Sequence, residues 1–275
     1  MTAATRPAPR LVPTRLGRLA VREYGAGAAA VLWHGLLVDS ASWSRVIPPL
    51  AEHRRLIVVD GPGHGDSDEL ARVTTIARCA DAAVDLLDAL GLVDPVDWVG
   101  SAWGGHVGYA VDAAHPGRLS SLVAIESPTE PASTAERRRL RALRPVLRVA
   151  GRGGFVVRLV AEAQLTDYSR AVDAEAVAIV RESLRRQSRR SLSTSIASFV
   201  LRRADLEADL VGGSAPALLV ASDDRGYWTP ESVRRAAGRR AGATATTVSW
   251  SRMLVPIEQP AALSREIVGF WRGLG

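Results

Sequence analysis

The sequence has no lysine, so all 35 of its Lys and Arg residues are arginines. It has one cysteine, Cys79, which excludes a disulfide framework and a thiolate metal cluster. No apolar run approaches the length of a membrane-spanning helix, and residues 1–10 lack the apolar segment of a signal peptide. These absences predict a cytoplasmic protein without a membrane partner.

The arginines give the chain a net charge of +6 at pH 7. Such an excess suits a small-molecule substrate that is anionic. No recognised nucleic-acid-binding motif accompanies the charge, so we expect no nucleic-acid partner. The glycine-rich stretch at residues 61–65 lacks the Gly-Lys-Ser/Thr ending of a phosphate-binding loop. We expect no cofactor and no metal, and the sequence does not indicate an oligomeric state.

Short apolar runs alternate with helical patterns over much of the chain. The runs at residues 28–33 and 56–59 are continuously apolar, which is typical of strands covered by helices on both faces, and residues 119–125 form a further, mostly apolar strand. Strands that alternate with helices in this way predict an α/β fold with a mostly parallel central sheet. A chain of 275 residues is long enough for one such domain with an inserted subdomain.

The pattern changes in the middle of the chain, where strands give way to arginine-rich helical stretches. We predict a helical lid over residues 130–211. The lid is then inserted between a first part of the core, residues 1–129, and a second part, residues 212–275.

A strand, a sharp turn and a helix are predicted around Ala102. Residues 96–99 are the strand, and Gly100 and Gly104 occupy the small positions of a small-x-nucleophile-x-small turn. Small residues are needed because strand and helix backbones approach closely at such a turn. The nucleophile position is therefore Ala102, which has no group that can attack a substrate. Ser101 would act as nucleophile only if the turn shifted by one residue, so we interpret it as a polar turn residue.

Several further segments stand in a specific order around this turn. They are Trp33-His34-Gly35, Trp43, the stretch from Asp60 to Ser67, and Pro256-Ile-Glu-Gln-Pro260. With the turn at Ala102, they resemble the α/β-hydrolase fold of the epoxide hydrolase and carbon–carbon hydrolase type. The resemblance covers roughly residues 16–271 apart from the lid. It implies a nucleophile, an acid and a histidine in that chain order.

The resemblance assigns a role to several positions of this chain. Two backbone N–H groups, those of Leu36 and Trp103, would form an oxyanion hole. The acid position lies in the loop Asp223-Asp224, where we favour Asp224, which serves either as a residual base or as a loop-capping acid. The histidine position is occupied by Met253, an apolar residue that would fill the space of an imidazole.

Two neighbouring positions complete the candidate site. Gly35 precedes Leu36, and we expect that only a residue without a Cβ allows this loop its close approach. His34 begins the same loop, where it acts either as an acid or base or as a structural histidine bonded to the backbone. Ser101, Ala102, Met253 and Gly35 would then contact the substrate.

Oxyanion donors without a nucleophile suit enolate chemistry. We therefore expect a non-hydrolytic enzyme that acts on a carbonyl- or ester-containing small molecule. Its most concrete form is elimination of acetate or a similar carboxylate, in bacterial polyketide or other secondary-metabolite biosynthesis. Elimination enzymes of tetronate pathways are similar in general design, although no motif here is peculiar to them. The alternatives are an esterase or epoxide hydrolase with a replaced nucleophile, and a ligand-binding protein without activity.

Overall fold

The computed structural model describes residues 7–150 and 153–274. Within them, the strands form one eight-stranded sheet in the order β1-β2-β4-β3-β5-β6-β7-β8. The two pairings that involve β2 are antiparallel, and all others are parallel. The strands are β1 Arg10–Thr14, β2 Gly17–Tyr24, β3 Ala29–Trp33, β4 Arg55–Asp60, β5 Val96–Ser101, β6 Leu119–Ile125, β7 Ala217–Ser222 and β8 Ala243–Val248.

The α-helices of the described residues connect and cover these strands. A 3₁₀ helix, Ser40–Trp43, and a π-helical turn, Ala197–Leu201, accompany them. The α-helices are α1 Ile47–Ala51, α2 Ile76–Ala89, α3 Trp103–Ala114, α4 Thr134–Ala150, α5 Gly154–Gln164, α6 Asp167–Val172, α7 Ala174–Arg186, α8 Arg189–Ile196, α9 Glu207–Gly212, α10 Pro230–Gly238, α11 Val255–Glu258 and α12 Pro260–Gly273.

Side chains alternate along the strands between two hydrophobic clusters. On β3, Val31 and Trp33 belong to one cluster, together with residues of α2, α3 and α10. Ala30 and Leu32 belong to the other, together with residues of α1 and α12. Because successive side chains of a strand point to opposite faces, each cluster covers one face of the sheet. The predicted α/β fold with a mostly parallel sheet is confirmed.

Between β6 and β7 the chain forms α4 to α9, which we call the helical insertion, Thr134–Gly212. Its residues build a third hydrophobic cluster that includes Val38 and Ile257 of the core. Ion pairs also join it to the core, for example Arg45 with Asp173 at 2.6 Å. The insertion therefore packs at the carboxyl edge of the sheet. Residues 151 and 152 of the predicted lid lie outside the described residues.

Candidate functional site

The turn at Ala102 joins the end of β5 to the first residue of α3. Ala102 has φ 46° and ψ −108°, a backbone conformation that an L residue rarely adopts. Gly100 and Gly104 are required here, since a Cβ on Gly100 would overlap the backbone of Gly104. A Cβ on Gly104 would overlap the carbonyl oxygen of Trp33. The structure thus has the predicted strand–turn–helix geometry, with a methyl group at its apex.

Leu36 and Trp103 carry the two backbone N–H groups that the resemblance assigns to an oxyanion hole. Trp103 is the first residue of α3, so its N–H has no acceptor within the helix. Its indole is buried and stacks on Phe199 of the insertion at 4.5 Å. The loop of Leu36 lies beside the turn, because a Cβ on Gly35 would stand 3.6 Å from that of Ala102. Both backbone segments therefore meet at Ala102.

The expectation for Gly35 itself is wrong. A Cβ at this position would meet its nearest atoms, the Ser101 carbonyl oxygen and the Ala102 Cβ, at 3.5 and 3.6 Å. Those distances are ordinary van der Waals contacts. Gly35 is also absent from the glycines with positive φ, whereas Leu37 of the same loop has φ 69°. The unusual backbone conformation thus falls on Leu37, and Gly35 leaves room for a methyl group.

His34 is fully buried at the start of this loop. Its Nε2 accepts a 2.9 Å hydrogen bond from the N–H of Gly61. Its Nδ1, which then carries the proton, donates to the carbonyl oxygen of Gly35 at 2.7 Å. Both ring nitrogens are bonded to the backbone, which favours the structural alternative for His34 over an acid–base role. Ser101 is likewise buried, and its Oγ would stand 3.8 Å from a Cβ on Gly35.

Asp224 is paired with an arginine. Its Oδ2 accepts a 2.7 Å hydrogen bond from Nη2 of Arg252, and its Oδ1 accepts a 3.2 Å bond from Arg225. Burial acts to raise the pKa of Asp224, but the hydrogen bonds from the two arginines outweigh it and the pKa lies below its ordinary value. Asp224 is therefore a stabilised carboxylate and a weak base.

Arg252 extends this pairing to the helical insertion. Its guanidinium donates to Asp167 at 3.2 Å and to the carbonyl oxygen of Glu162 at 2.5 Å, although the side chain is only 4% exposed. Hydrogen bonds from Arg170 and Arg252 lower the pKa of Asp167 to about 2. Arg252 is not among the site residues predicted from the sequence. Its signal was a charged residue inside the segment that the resemblance assigns to the histidine.

Met253, which follows Arg252 in the sequence, is buried. Its N–H and that of Leu254 both donate to the backbone carbonyl of Gln164, each at 3.1 Å. The side chain of Gln164 donates in turn to the carbonyl oxygen of Leu36 at 3.0 Å. Gln164, another residue that our sequence analysis did not identify, thus joins the end of α5 to the oxyanion loop and to the histidine position.

Glu126 is a buried carboxylate at the end of β6, beside the turn. The preceding residue, Ile125, accepts the N–H of Ala102 at 2.7 Å. The carboxylate accepts the N–H groups of Ser222 and Trp228 at 2.5 and 3.0 Å. Burial raises the pKa of Glu126 to about 7, although these N–H groups act in the opposite direction. Glu126 thus holds both ends of the loop that carries Asp224.

An apolar cavity of about 40 Å³ lies between the oxyanion loop and the insertion. A cavity of roughly 150 Å³ holds a benzene molecule, so this cavity admits only about one or two non-hydrogen atoms. We expect Ala102 to contact the substrate, but the lining of this cavity begins one residue past Leu36 and does not include Ala102. The lining residues are Leu37, Leu140, Val156, Leu159, Val160, Leu184, Leu192 and Ile196.

Several arginines of the insertion contact acceptors of the protein itself. Arg186 pairs with the buried Asp39 at 2.6 Å. Arg181 and Arg185 both pair with Glu182, at 3.1 and 3.2 Å. Arg190 donates to the backbone carbonyl of Ala71. These four side chains therefore have partners within the chain.

Metal ligation and membrane insertion find no support in the described residues. No group of three or more His, Cys, Asp or Glu side chains in residues 7–150 and 153–274 could hold a metal ion. No helix in the same residues is long and apolar enough to cross a membrane.

Comparison with known proteins shows which fold has this geometry. The family described as "alpha/beta hydrolase fold" matches residues 31–147. A 2-hydroxymuconate semialdehyde hydrolase of Pseudomonas sp. (strain CF600) is 34% identical over 114 residues, 40% of either chain. A pimeloyl-[acyl-carrier protein] methyl ester esterase of Vibrio campbellii is 33% identical over 116 residues, 42% of either chain. The matches thus span less than half the length of these curated relatives.

Solved structures match nearly the whole chain. A thermophilic esterase from Thermogutta terrifontis has a TM-score of 0.89 at 22% identity and covers 98% of this chain and 99% of its own. An enol-lactonase from Burkholderia xenovorans LB400 has a TM-score of 0.86 at 21% identity and covers 96% of this chain and 100% of its own. The chain is therefore an α/β-hydrolase-fold protein.

Proposed function

We propose that the chain is a non-hydrolytic α/β-hydrolase-fold enzyme that acts on a small molecule with a carbonyl or ester group. One observation carries the proposal: the turn at Ala102 has the geometry of a nucleophile elbow but presents a methyl group. The other two positions agree with it, since Met253 cannot act as a base and Asp224 is bound by Arg252. Acyl transfer through a covalent intermediate needs a nucleophile and a base.

The backbone donors support chemistry on a carbonyl. N–H groups of Leu36 and Trp103 aimed at one carbonyl oxygen would stabilise the negative charge of an enolate. In the specific form proposed, a base removes the proton next to the carbonyl and an enolate forms. The carbon–oxygen bond at the β carbon then breaks, a carbon–carbon double bond forms, and acetate or another carboxylate leaves. Such a step belongs to polyketide or other secondary-metabolite biosynthesis.

The cavity beside Leu37 supports a substrate with a short aliphatic group. Its lining is entirely aliphatic, and its volume of about 40 Å³ suits a small aliphatic substituent. The anionic substrate that the composition suggested is not part of this proposal. The reason is that several arginines of the insertion already contact acceptors within the chain: Arg181, Arg185, Arg186 and Arg190.

The pairing of Asp224 favours a second candidate, a ligand-binding protein without activity. An enolate requires a base, and both oxygens of the Asp224 carboxylate accept hydrogen bonds from arginines. A protein with this site would hold a carbonyl compound on the two backbone donors without changing it.

Ester hydrolysis tests the absence of triad chemistry. The substrates are p-nitrophenyl acetate and p-nitrophenyl butyrate, and the variants are Ala102→Ser and Ala102→Ser with Met253→His. We expect no hydrolysis above background by the wild-type protein or by Ala102→Ser, because Met253 supplies no base. Turnover by the wild-type protein with an acyl-enzyme in the mass spectrum would contradict the proposal. Turnover by Ala102→Ser alone would instead support an esterase whose nucleophile was replaced.

Hydrogen exchange separates the enzyme from the binding protein. The probe is 2-butanone in D₂O, whose deuteration next to the carbonyl is followed by NMR and reports enolate formation. We expect exchange above the buffer rate, unchanged in Asp223→Asn; a lower rate in Asp224→Asn would identify Asp224 as the base despite its two arginine partners. Binding of 2-butanone without exchange would contradict the elimination mechanism and support the second candidate. Absence of both binding and exchange would count against a carbonyl ligand.

A further inference from the structure

The two edges of the sheet differ in how they are protected. The edge strand β1 carries Arg10 and Pro13, a charge and a residue without an N–H. Both features discourage further strand pairing. The other edge strand, β8, has the sequence Ala-Thr-Ala-Thr-Thr-Val without charge or proline. In the described part of the chain, no strand pairs with its outer side. The backbone of β8 is thus an unprotected template for another strand.

A groove of about 400 Å³ runs along this edge, between β8 and α12. Leu218 of the neighbouring strand and Phe270 contribute apolar surface to it. Gly269 opens it, because no atom lies within 4 Å of the place where its Cβ would be. Edge and groove together form one continuous surface, which we call the β8 edge (residues 243–248 with Arg265, Glu266, Gly269 and Phe270).

Two charges of opposite sign border the groove. Arg265 and Glu266 are adjacent, exposed residues of α12. Neither side chain forms an ion pair with another of the described residues. In a two-fold symmetric contact the same surface serves both partners, so this pair of opposite charges lets each copy offer a cation to the anion of the other. The charges therefore indicate which partner the surface fits.

We propose that the β8 edge binds a second copy of this chain, so that two sheets join antiparallel across a two-fold axis. In an antiparallel pair, residues directly opposite each other share a face of the sheet. An axis through Ala245 places Thr244 opposite Thr246 of the second copy, and an axis through Thr246 places Ala245 opposite Thr247. Either register brings only uncharged residues together, and threonine pairs across strands are favourable.

The same axis, perpendicular to the sheet, brings the two α12 helices side by side on one face. Arg265 of one copy then faces Glu266 of the other, and the reverse contact forms on the opposite side of the axis. Exposed pairs of this kind set register and orientation more than affinity. The proposal is independent of the proposed function, since it involves no residue at the turn of Ala102.

Sedimentation velocity of the full chain over a range of concentrations tests the proposal. We expect a dimer with a dissociation constant in the micromolar range or below. Thr246→Lys places two like charges next to each other at the axis and should raise the dissociation constant on the order of 100-fold. Leu11→Lys, which adds the same charge to the exposed side of β1, should leave it unchanged.

Two further experiments test the edge-to-edge arrangement. One swaps the charges of Arg265 and Glu266, and the other measures amide hydrogen exchange. Arg265→Glu should weaken the dimer severalfold, and adding Glu266→Arg should restore it. Amide exchange of residues 243–248 should slow as the protein concentration rises. A monomer at all concentrations would overturn the proposal, whether or not another protein binds the edge. Dimers that are insensitive to Thr246→Lys, or a double variant that does not recover, would overturn the edge-to-edge arrangement even if every variant folds.

Discussion

Arg252 donates a 2.7 Å hydrogen bond from Nη2 to Oδ2 of Asp224, the carboxylate that would orient the histidine of a catalytic triad in related folds. The same guanidinium bonds Asp167 and the carbonyl of Glu162, which belong to the helical insertion. The acid position therefore joins the core to the insertion instead of activating an imidazole. Because Arg252 stabilises the charged form of Asp224, this carboxylate is ionised although no histidine stands beside it as a catalytic partner.

We expect Arg252→Met to destabilise the protein by about 2 kcal/mol, because it removes a buried guanidinium that donates hydrogen bonds to two carboxylates and a backbone carbonyl. Arg225→Met is the matched control, since Arg225 contacts the same two carboxylates, Asp224 and Asp167, but is 66% exposed. Its loss should leave the free energy of unfolding close to that of the wild type. Urea denaturation measures both. Equal losses in the two variants would show that burial of Arg252 does not matter.

Glu126 predicts a pH dependence of stability. Its pKa is raised from its ordinary value of 4.5 to about 7 in the folded protein. A raised pKa means that its contribution to stability is complete below pH 4.5 and is lost as the pH rises through 7. The predicted loss is about 3 kcal/mol. Denaturation of the wild type and Glu126→Gln from pH 4.5 to 8.5 measures it as the difference between the two curves.

The variant Glu126→Gln cannot titrate, so its stability should lack this component. It should be less stable at low pH as well, because a glutamine has one acceptor oxygen for the N–H groups of Ser222 and Trp228. Parallel pH curves for the two proteins would contradict the raised pKa.

Local patterns allowed much of the fold to be predicted from the sequence. Continuous apolar runs marked the parallel strands, and the spacing of Gly100 and Gly104 located the turn at Ala102. Thr75 precedes α2, and its side chain accepts the N–H of Arg78, the role that threonine favours at a helix N-terminus. Each of these features depends on residues close together in the chain.

The site was harder to predict because its contacts are distant in sequence. Arg252 and Asp224 are 28 residues apart, and Gln164 and Leu36 are 128 residues apart. No periodicity reports such pairs. Gly35 illustrates another limit, since the residue type does not reveal which position of a loop takes the unusual backbone conformation. That position is Leu37.

The glycines around the turn should differ sharply in their tolerance of a methyl group. Gly104→Ala should destabilise the protein by about 3 kcal/mol or more, because its Cβ would overlap the carbonyl of Trp33. Gly35→Ala should be neutral or stabilising by up to about 1 kcal/mol, since space and backbone conformation permit it. Thermal melts compare the two. A stable Gly104→Ala variant would mean that strand and helix lie farther apart than described.

Ala102 itself allows the last prediction. Its φ of 46° stores strain that a glycine would not experience. Relief of roughly 1–3 kcal/mol exceeds the cost of roughly 0.4–1 kcal/mol from the greater freedom of glycine in the unfolded chain. Ala102→Gly should therefore stabilise the protein by about 1 kcal/mol.

The control for Ala102→Gly is the same substitution at Ala110, inside α3. Ala110→Gly should destabilise the protein by about 2 kcal/mol, because glycine disfavours a helix interior and the buried methyl group of Ala110 is lost. Opposite signs for the two variants in urea denaturation would establish the strain at the turn. Because Ala102 provides no nucleophile, the stabilised variant should also keep its affinity for a carbonyl ligand within about tenfold. A destabilised Ala102→Gly variant would mean that the methyl group contributes more through packing than it costs in backbone strain.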